Sequence, residues 1–248
     1  MKKILVIITD SDQSLHALRL AIRLAKQVKA KLNAIFINGE EVQTTKHSTA
    51  LASGLPLFEH NCREAGIAYH VKHVRRHSTD EILDETAFAD LLICDDNIHS
   101  TDYSVQSLVS SSHCPVLMVN SDESAFSDVI LSYDGNTSSI NAIKQYTYLF
   151  SWYSSQHVYL VSVIPANIVQ MEYDGLVREW LLLHFPHAEV VVLKGDAKTE
   201  LCNFIKNKPG SLVVMGAFGR SALSRFFKES VATTVLTATN SSIFISHS

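Results

Sequence analysis

Ile4-Leu5-Val6-Ile7-Ile8-Thr9-Asp10 is an apolar run that ends on an acid and is followed by Ser14, Ala17 and Leu18. About 124 residues on, Val129-Ile130-Leu131-Ser132-Tyr133-Asp134 is followed by Ser139, Ala142 and Ile143. The spacing is 124 at the aspartates and 125 at the serines, which reads as a turn one residue different in length. Leu91-Leu92-Ile93-Cys94 likewise returns as Leu212-Val213-Val214-Met215, and Pro115-Val116-Leu117-Met118-Val119 as Ser242-Ile243-Phe244-Ile245-Ser246. A period of this length far exceeds the roughly 20–50 residues of solenoid repeats and matches one small domain. The chain therefore reads as two tandem copies of one fold, residues 1–122 and 127–248, joined near Ser121 to Ser127.

Each copy alternates short β-branched runs with amphipathic stretches of helical length. The expected strands of the first are Ile4 to Thr9, Lys31 to Ile37, Ala68 to Val74, Leu91 to Cys94 and Val116 to Val119. Those of the second are Val129 to Tyr133, Val158 to Val163, Glu189 to Leu193, Leu212 to Met215 and Ile243 to Ser246. Ser14 to Val28 carries Leu15, Leu18, Ile22 and Ala25 at spacings of three and four, one face of a helix. Strand–helix alternation predicts an α/β fold with parallel sheets and right-handed crossovers. Ligands of such folds bind beyond the carboxyl ends of the strands, where Asp134 and Gly216 both stand.

Val213-Val214-Met215-Gly216-Ala217-Phe218-Gly219-Arg220-Ser221 is an apolar strand that empties into a loop with two glycines and then a polar turn. Glycines let backbone N–H groups approach an anion, and a helix N-terminus adds partial positive charge. The bland alternative is a tight turn between a strand and a helix. Composition restricts the function classes. A net charge of −4 argues against a general nucleic-acid binder. No apolar run approaches the ~18–20 residues of a membrane span, and the N-terminus enters a strand without a signal-peptide pattern, so a cytoplasmic protein is expected. Cys62, Cys94, Cys114 and Cys202 are scattered, with no C-x-x-C, and read as buried free thiols.

With these residues the chain resembles a tandem universal stress protein. The second half has the family's aspartate after the first strand (Asp134), Ser139 and Ala142 on the next helix, and Gly195-Asp196 after the third strand. It also has most of the nucleotide signature G-x-x-G, nine residues, G-[ST]. Gly216 and Gly219 match, and so does the hydroxyl of Ser230; Glu229 stands where nucleotide-binding members have glycine. The resemblance implies two doubly wound, Rossmann-like sheets of the adenine nucleotide alpha hydrolase type, each with five parallel strands in the order 3-2-1-4-5. It implies an adenine nucleotide (ATP, ADP or AMP, with Mg accompanying ATP) in the second half only. Asp134 would lie by the nucleoside and the backbone of Val163 and Ile164 would border adenine. Gly216, Gly219, Arg220, Ser230 and Val231 would surround ribose and phosphates. It also implies pairing of the closing strands Val116 to Val119 and Ile243 to Ser246 as an intramolecular pseudo-dimer, with a homodimer of the whole chain as a further option.

The first half lacks that loop. Asp95, Asp96, Asn97 and Ile98 stand where the second half has its glycine turn, and five residues are missing before Ser104. Asp95 and Asp96 read as a solvated acidic turn, with a divalent-cation pair as the alternative. His70 and His73, near Lys72, Arg75 and Arg76, fall on opposite faces of a strand and read as a solvated strand end. No G-x-S-x-G or H-E-x-x-H marks a catalytic centre, and slow ATP hydrolysis is the most that is expected. Two readings stand: a stress-response nucleotide-binding regulatory module, and a nucleotide-free scaffold acting through unidentified protein partners.

Overall fold

The computed structural model describes residues 1–9, 14–38, 49–75, 79–95, 99–100, 103–104, 108–109, 111–120, 126–152, 157–165, 174–216 and 241–246. The chain divides into two compact units, Met1–Ser124 and Ala125–Ser248.

In the first unit, β1 (Lys3–Ile8), α1 (Ser14–Val28), β2 (Lys31–Asn38), α2 (Thr49–Glu64), β3 (Tyr69–Arg75), α3 (Thr79–Thr86) and β4 (Leu91–Asp95) follow in order. A two-residue hairpin, β5 (His99–Ser100) and β6 (Tyr103–Ser104), precedes the closing strand β7 (Val116–Val119). Five strands pair in parallel in the order β3-β2-β1-β4-β7. The second unit repeats the plan with β8 (Asp128–Ser132), α4 (Thr137–Leu149), β9 (His157–Ile164), α5 (Asp174–His184) and β10 (Glu189–Lys194). It continues through α6 (Ala197–Lys206), β11 (Leu212–Gly216) and β12 (Ser242–Ser246). Its order, β10-β9-β8-β11-β12, is again parallel throughout and again 3-2-1-4-5 by position in the unit.

Burial explains why these runs are strands. Helices cover both faces of a parallel sheet, so its inner strands are apolar without alternation. Ile4, Leu5, Val6, Ile7 and Ile8 are all fully buried, each contributing roughly 1.5–3 kcal/mol of apolar burial. β4, β11 and β12 are similarly enclosed, whereas β10 at the sheet edge is exposed or half-exposed along its whole length. α1 spans the expected residues, but its buried face is centred on Ala17, Leu18, Ala21, Leu24 and Ala25. Small residues let its axis lie close to the sheet. Leu15 and Ile22 are only partly buried, and Leu15 Cδ2 instead faces α2 near Gly54. In the second unit Tyr146 of α4 and Phe150 just past its end stack at 5.1 Å, and each meets Phe244 of β12 edge-on at 5.8 and 6.0 Å. That aromatic cluster pins α4 to the sheet. All four cysteines are buried and free.

Candidate functional site at the carboxyl end of the second sheet

The order of the second sheet reverses at β8, whose two neighbours are β9 and β11, the switch point beyond which sheets of this kind bind their ligands. β8 runs out through Tyr133 into Asp134, Gly135 and Asn136. Gly135 has φ 86°, a left-handed turn that a Cβ disfavours. Within this turn the half-buried Asp134 is gripped at both oxygens: the Asn136 N–H donates to Oδ1 and the Asn136 side-chain amide to Oδ2, each at 3.0 Å. Asn136 therefore spends its amide on Asp134 rather than capping α4, which begins without a side-chain cap. Ser139, which is buried, donates from Oγ to the Asn136 carbonyl at 2.8 Å and closes the turn onto the helix. The backbone half of this grip was readable in principle, because an Asp side chain commonly accepts from the N–H two residues on.

Gly216 ends β11, in register with Ser246 and two residues beyond the Val214–Leu131 pair. A Cβ there would lie 2.6 Å from the Ser138 carbonyl carbon, 2.7 Å from its oxygen and 2.7 Å from the Ser139 nitrogen. The first turn of α4 thus rests directly on this glycine. Close helix–strand contact alone demands glycine here.

β9 supplies backbone to the same end. Its ladder with β8 stops at Ser132–Val161, extended by the Tyr133 N–H donating to the Val161 carbonyl at 2.9 Å. Strand residues two apart turn their N–H and C=O the same way, so Val163 presents its amide groups on the β8 side, past the end of that ladder. Ile164 turns the other way, and its carbonyl accepts from Gly195 N–H at 3.1 Å. After β10, Gly195 takes φ 145° and Asp196 caps α6. Its Oδ1 accepts from the Thr199 N–H at 2.9 Å and the Thr199 hydroxyl at 2.7 Å, and these bonds hold its carboxyl below the usual aspartate range. Asp134, Val163, Ile164 and Gly216 are thus brought to one end of one sheet. Gly219, Arg220, Glu229, Ser230 and Val231 lie outside the described residues.

The first unit differs at the equivalent place in two ways that correct the sequence reading. Leu91 and Leu212 are equivalent, and they pair with Ile4 and Val129 respectively. Ile4 and Val129 are 125 residues apart, as are Ser14 and Ser139, so the two turns have equal length. Thr9, rather than Asp10, therefore stands at the position of Asp134. Asp95, at the position of Gly216, is not part of a solvated turn: it is fully buried, and Thr9 Oγ1 donates to its Oδ2 at 3.4 Å. The unit thus carries a hydroxyl where its repeat has an acid and an acid where its repeat has glycine. Asp10 and Asp96 lie outside the described residues.

His70 and His73 are both exposed along β3, as a solvated strand end requires. Among the described residues no group of three or more His, Cys, Asp or Glu could hold a metal ion, and no helix is long and apolar enough to cross a membrane.

The model of the universal stress protein family matches residues 128–247, nearly the whole second unit. No curated protein matches the chain by sequence. Among solved structures, a universal stress protein from Archaeoglobus fulgidus superposes with a TM-score of 0.75 at 14% identity, covering 98% of this chain and 96% of its own. A protein of unknown function from Pseudomonas aeruginosa superposes with a TM-score of 0.66 at 15% identity, covering 100% of this chain and 92% of its own. At such identities the likeness is one of fold, and it spans both units.

Proposed function

Since the second unit is a member of the universal stress protein family and the first repeats its fold, we propose that the chain is a stress-response regulatory protein that binds an adenine nucleotide in the second unit alone. The observation that carries this reading is the convergence of Asp134, the outward amide groups of Val163 and Gly216 at the switch point of the second sheet. The fit is chemical. The Watson–Crick edge of adenine offers an N6–H donor beside the N1 acceptor, which suits the C=O and N–H of one residue such as Val163, with Ile164 beside it. Both Asp134 oxygens retain lone pairs after the Asn136 bonds, so its carboxylate can accept from a ribose hydroxyl or a base amine. Gly216, Gly219 and Val231 would offer backbone to ribose and phosphates, Arg220 its charge and Ser230 its hydroxyl.

In the first unit the buried Asp95 side chain sits where the phosphate-loop glycine would be, and it takes away the close backbone approach that a glycine there would give an anion. The function proposed is sensing, with nucleotide occupancy changing affinity for a protein partner in the cytoplasm. ATP would bring its own Mg. The competing reading, a nucleotide-free scaffold, is favoured by Glu229 in the signature and by the packing need for Gly216, which exists without any ligand.

Calorimetric titration of nucleotide-stripped protein with ATP and AMP separates the two. Saturable binding of one nucleotide per chain, lost in Gly219→Val and weakened in Ser230→Ala, is expected. Absence of binding to either nucleotide would leave the scaffold reading.

A further inference from the structure

The amino end of the first sheet, remote in chain position from the nucleotide-type loop, carries a cleft of about 400 Å³. It lies where α1 and α2 end and β2 and β3 begin. Three lysines line it: Lys26 from the last turn of α1, Lys29 just beyond it and Lys31 at the start of β2. The other walls are small, Ala25, Ala30 and Gly66 among them, and no carboxylate lines the cleft. Three other cations of this unit are matched: Lys3 and Lys72 reach Glu85 at 3.1 and 3.7 Å, and Arg63 reaches Glu59 at 2.9 Å. Among the described residues Lys26, Lys29 and Lys31 make no ion pair.

The backbone adds a second observation. Lys29 has φ 53° and is the only non-glycine with positive φ among the described residues. The comparable turn after α2, closed by the same kind of backbone bond (Ile67 N–H to the Cys62 carbonyl, as Ala30 N–H to the Ala25 carbonyl), uses Gly66 at φ 64°. A left-handed residue past a helix end is normally glycine because a Cβ strains it. A lysine kept there in spite of that strain points to a use for its charge.

We propose that this cleft binds a compact polyanion, a di- or triphosphate group, through the ammonium groups of Lys26, Lys29 and Lys31. Three like charges around one concave surface, all on exposed side chains, raise a positive potential that a multivalent phosphate neutralises with charge-assisted hydrogen bonds. The volume falls in the roughly 300–1,000 Å³ range of small-ligand sites. The simpler role for such lysines is to offset the negative end of the α1 dipole, and the test separates the two.

The full chain is titrated with inorganic tripolyphosphate at about 0.15 M salt, following amide NMR shifts and heats of binding. Saturable shifts confined to the Lys29–Lys31 and Gly66 neighbourhood are expected, away from Gly135 and Gly195. Lys29→Gly relieves the left-handed strain, so it should keep or raise thermal stability while weakening binding about tenfold, with a similar loss in Lys31→Gln. A second titration with ATP identifies the source: tighter binding of ATP at these amides assigns a nucleotide tail, and tighter binding of tripolyphosphate assigns an inorganic chain. Absence of saturable shifts at these amides overturns the proposal. So does a Lys29→Gly variant that loses stability with unchanged affinity, the behaviour of a lysine that serves only the helix end. Failure of nucleotide binding in the second unit would leave these amide shifts unaffected.

Discussion

Replacing Gly216 by alanine tests whether this glycine is held by packing or by a ligand. The added Cβ would stand 2.6 Å from a backbone carbon and 2.7 Å from two further backbone atoms of Ser138 and Ser139. Ordinary contact begins near 3.4 Å, so about 0.8 Å must be found. Neither side yields easily. β11 is bonded on both flanks, to β8 and β12, and α4 is clamped through Tyr146 and Phe150 onto Phe244. The cost should reach the upper part of the overpacking range, about 3 kcal/mol, or roughly 10 °C in Tm for a unit of this size. Both tryptophans, Trp152 and Trp180, belong to the second unit, so fluorescence-monitored urea unfolding reads that unit directly. Gly175→Ala is the control, because a Cβ at Gly175 on α5 meets nothing within 4 Å, and its transition should be unchanged or slightly raised. An unshifted tryptophan transition in Gly216→Ala, within about 0.5 kcal/mol, would refute the packing argument and leave ligand approach as the reason for the glycine.

Two further outcomes follow from the ionisable groups. The Asp196 carboxyl is held low in the folded chain by Thr199. Its stabilising effect is therefore present above the unfolded value of about 3.9 and disappears as the pH falls through the lower folded value. Asp196→Ala should flatten the acid limb of stability against pH for the second unit, and an unchanged slope would contradict this. Burial pushes the Cys62 and Cys114 thiols up to about 11 and raises Cys202 as well. At pH 8 only about one in a thousand of the Cys62 and Cys114 thiols is ionised. Native protein should react slowly with a thiol-specific disulfide reagent and release four equivalents after urea; a fast native thiol would mean that one of these sites opens readily.

Much of the architecture was legible because burial on two faces leaves an imprint along the chain. Strand ends read from sequence fall within a residue of those observed, since runs such as Leu212–Val214 are enclosed on both sides and flanked by turn residues. The repeat was visible for the same reason. Its detailed alignment was not. The two aspartates invited a match of Asp10 with Asp134, while hydrogen-bonded register places Thr9 there. Of the α1 face read from spacing, Leu18 and Ala25 are buried while Leu15 and Ile22 lie at its half-buried margin, because where a helix docks on the sheet is set in space and not by spacing alone.

By itself, the sequence determined two α/β units, their inner strands, the acid at the end of β8 and the loss of the glycine loop from the first unit. These features depend on residue type and local spacing, which a chain carries in one dimension. Only the tertiary structure decided that Asn136 grips Asp134, that Asp95 is buried beside Thr9 and that α4 rests on Gly216. Each of these is an approach in space set by strand register and helix docking, and hydrogen bonding and close packing act over ångströms that sequence spacing does not measure.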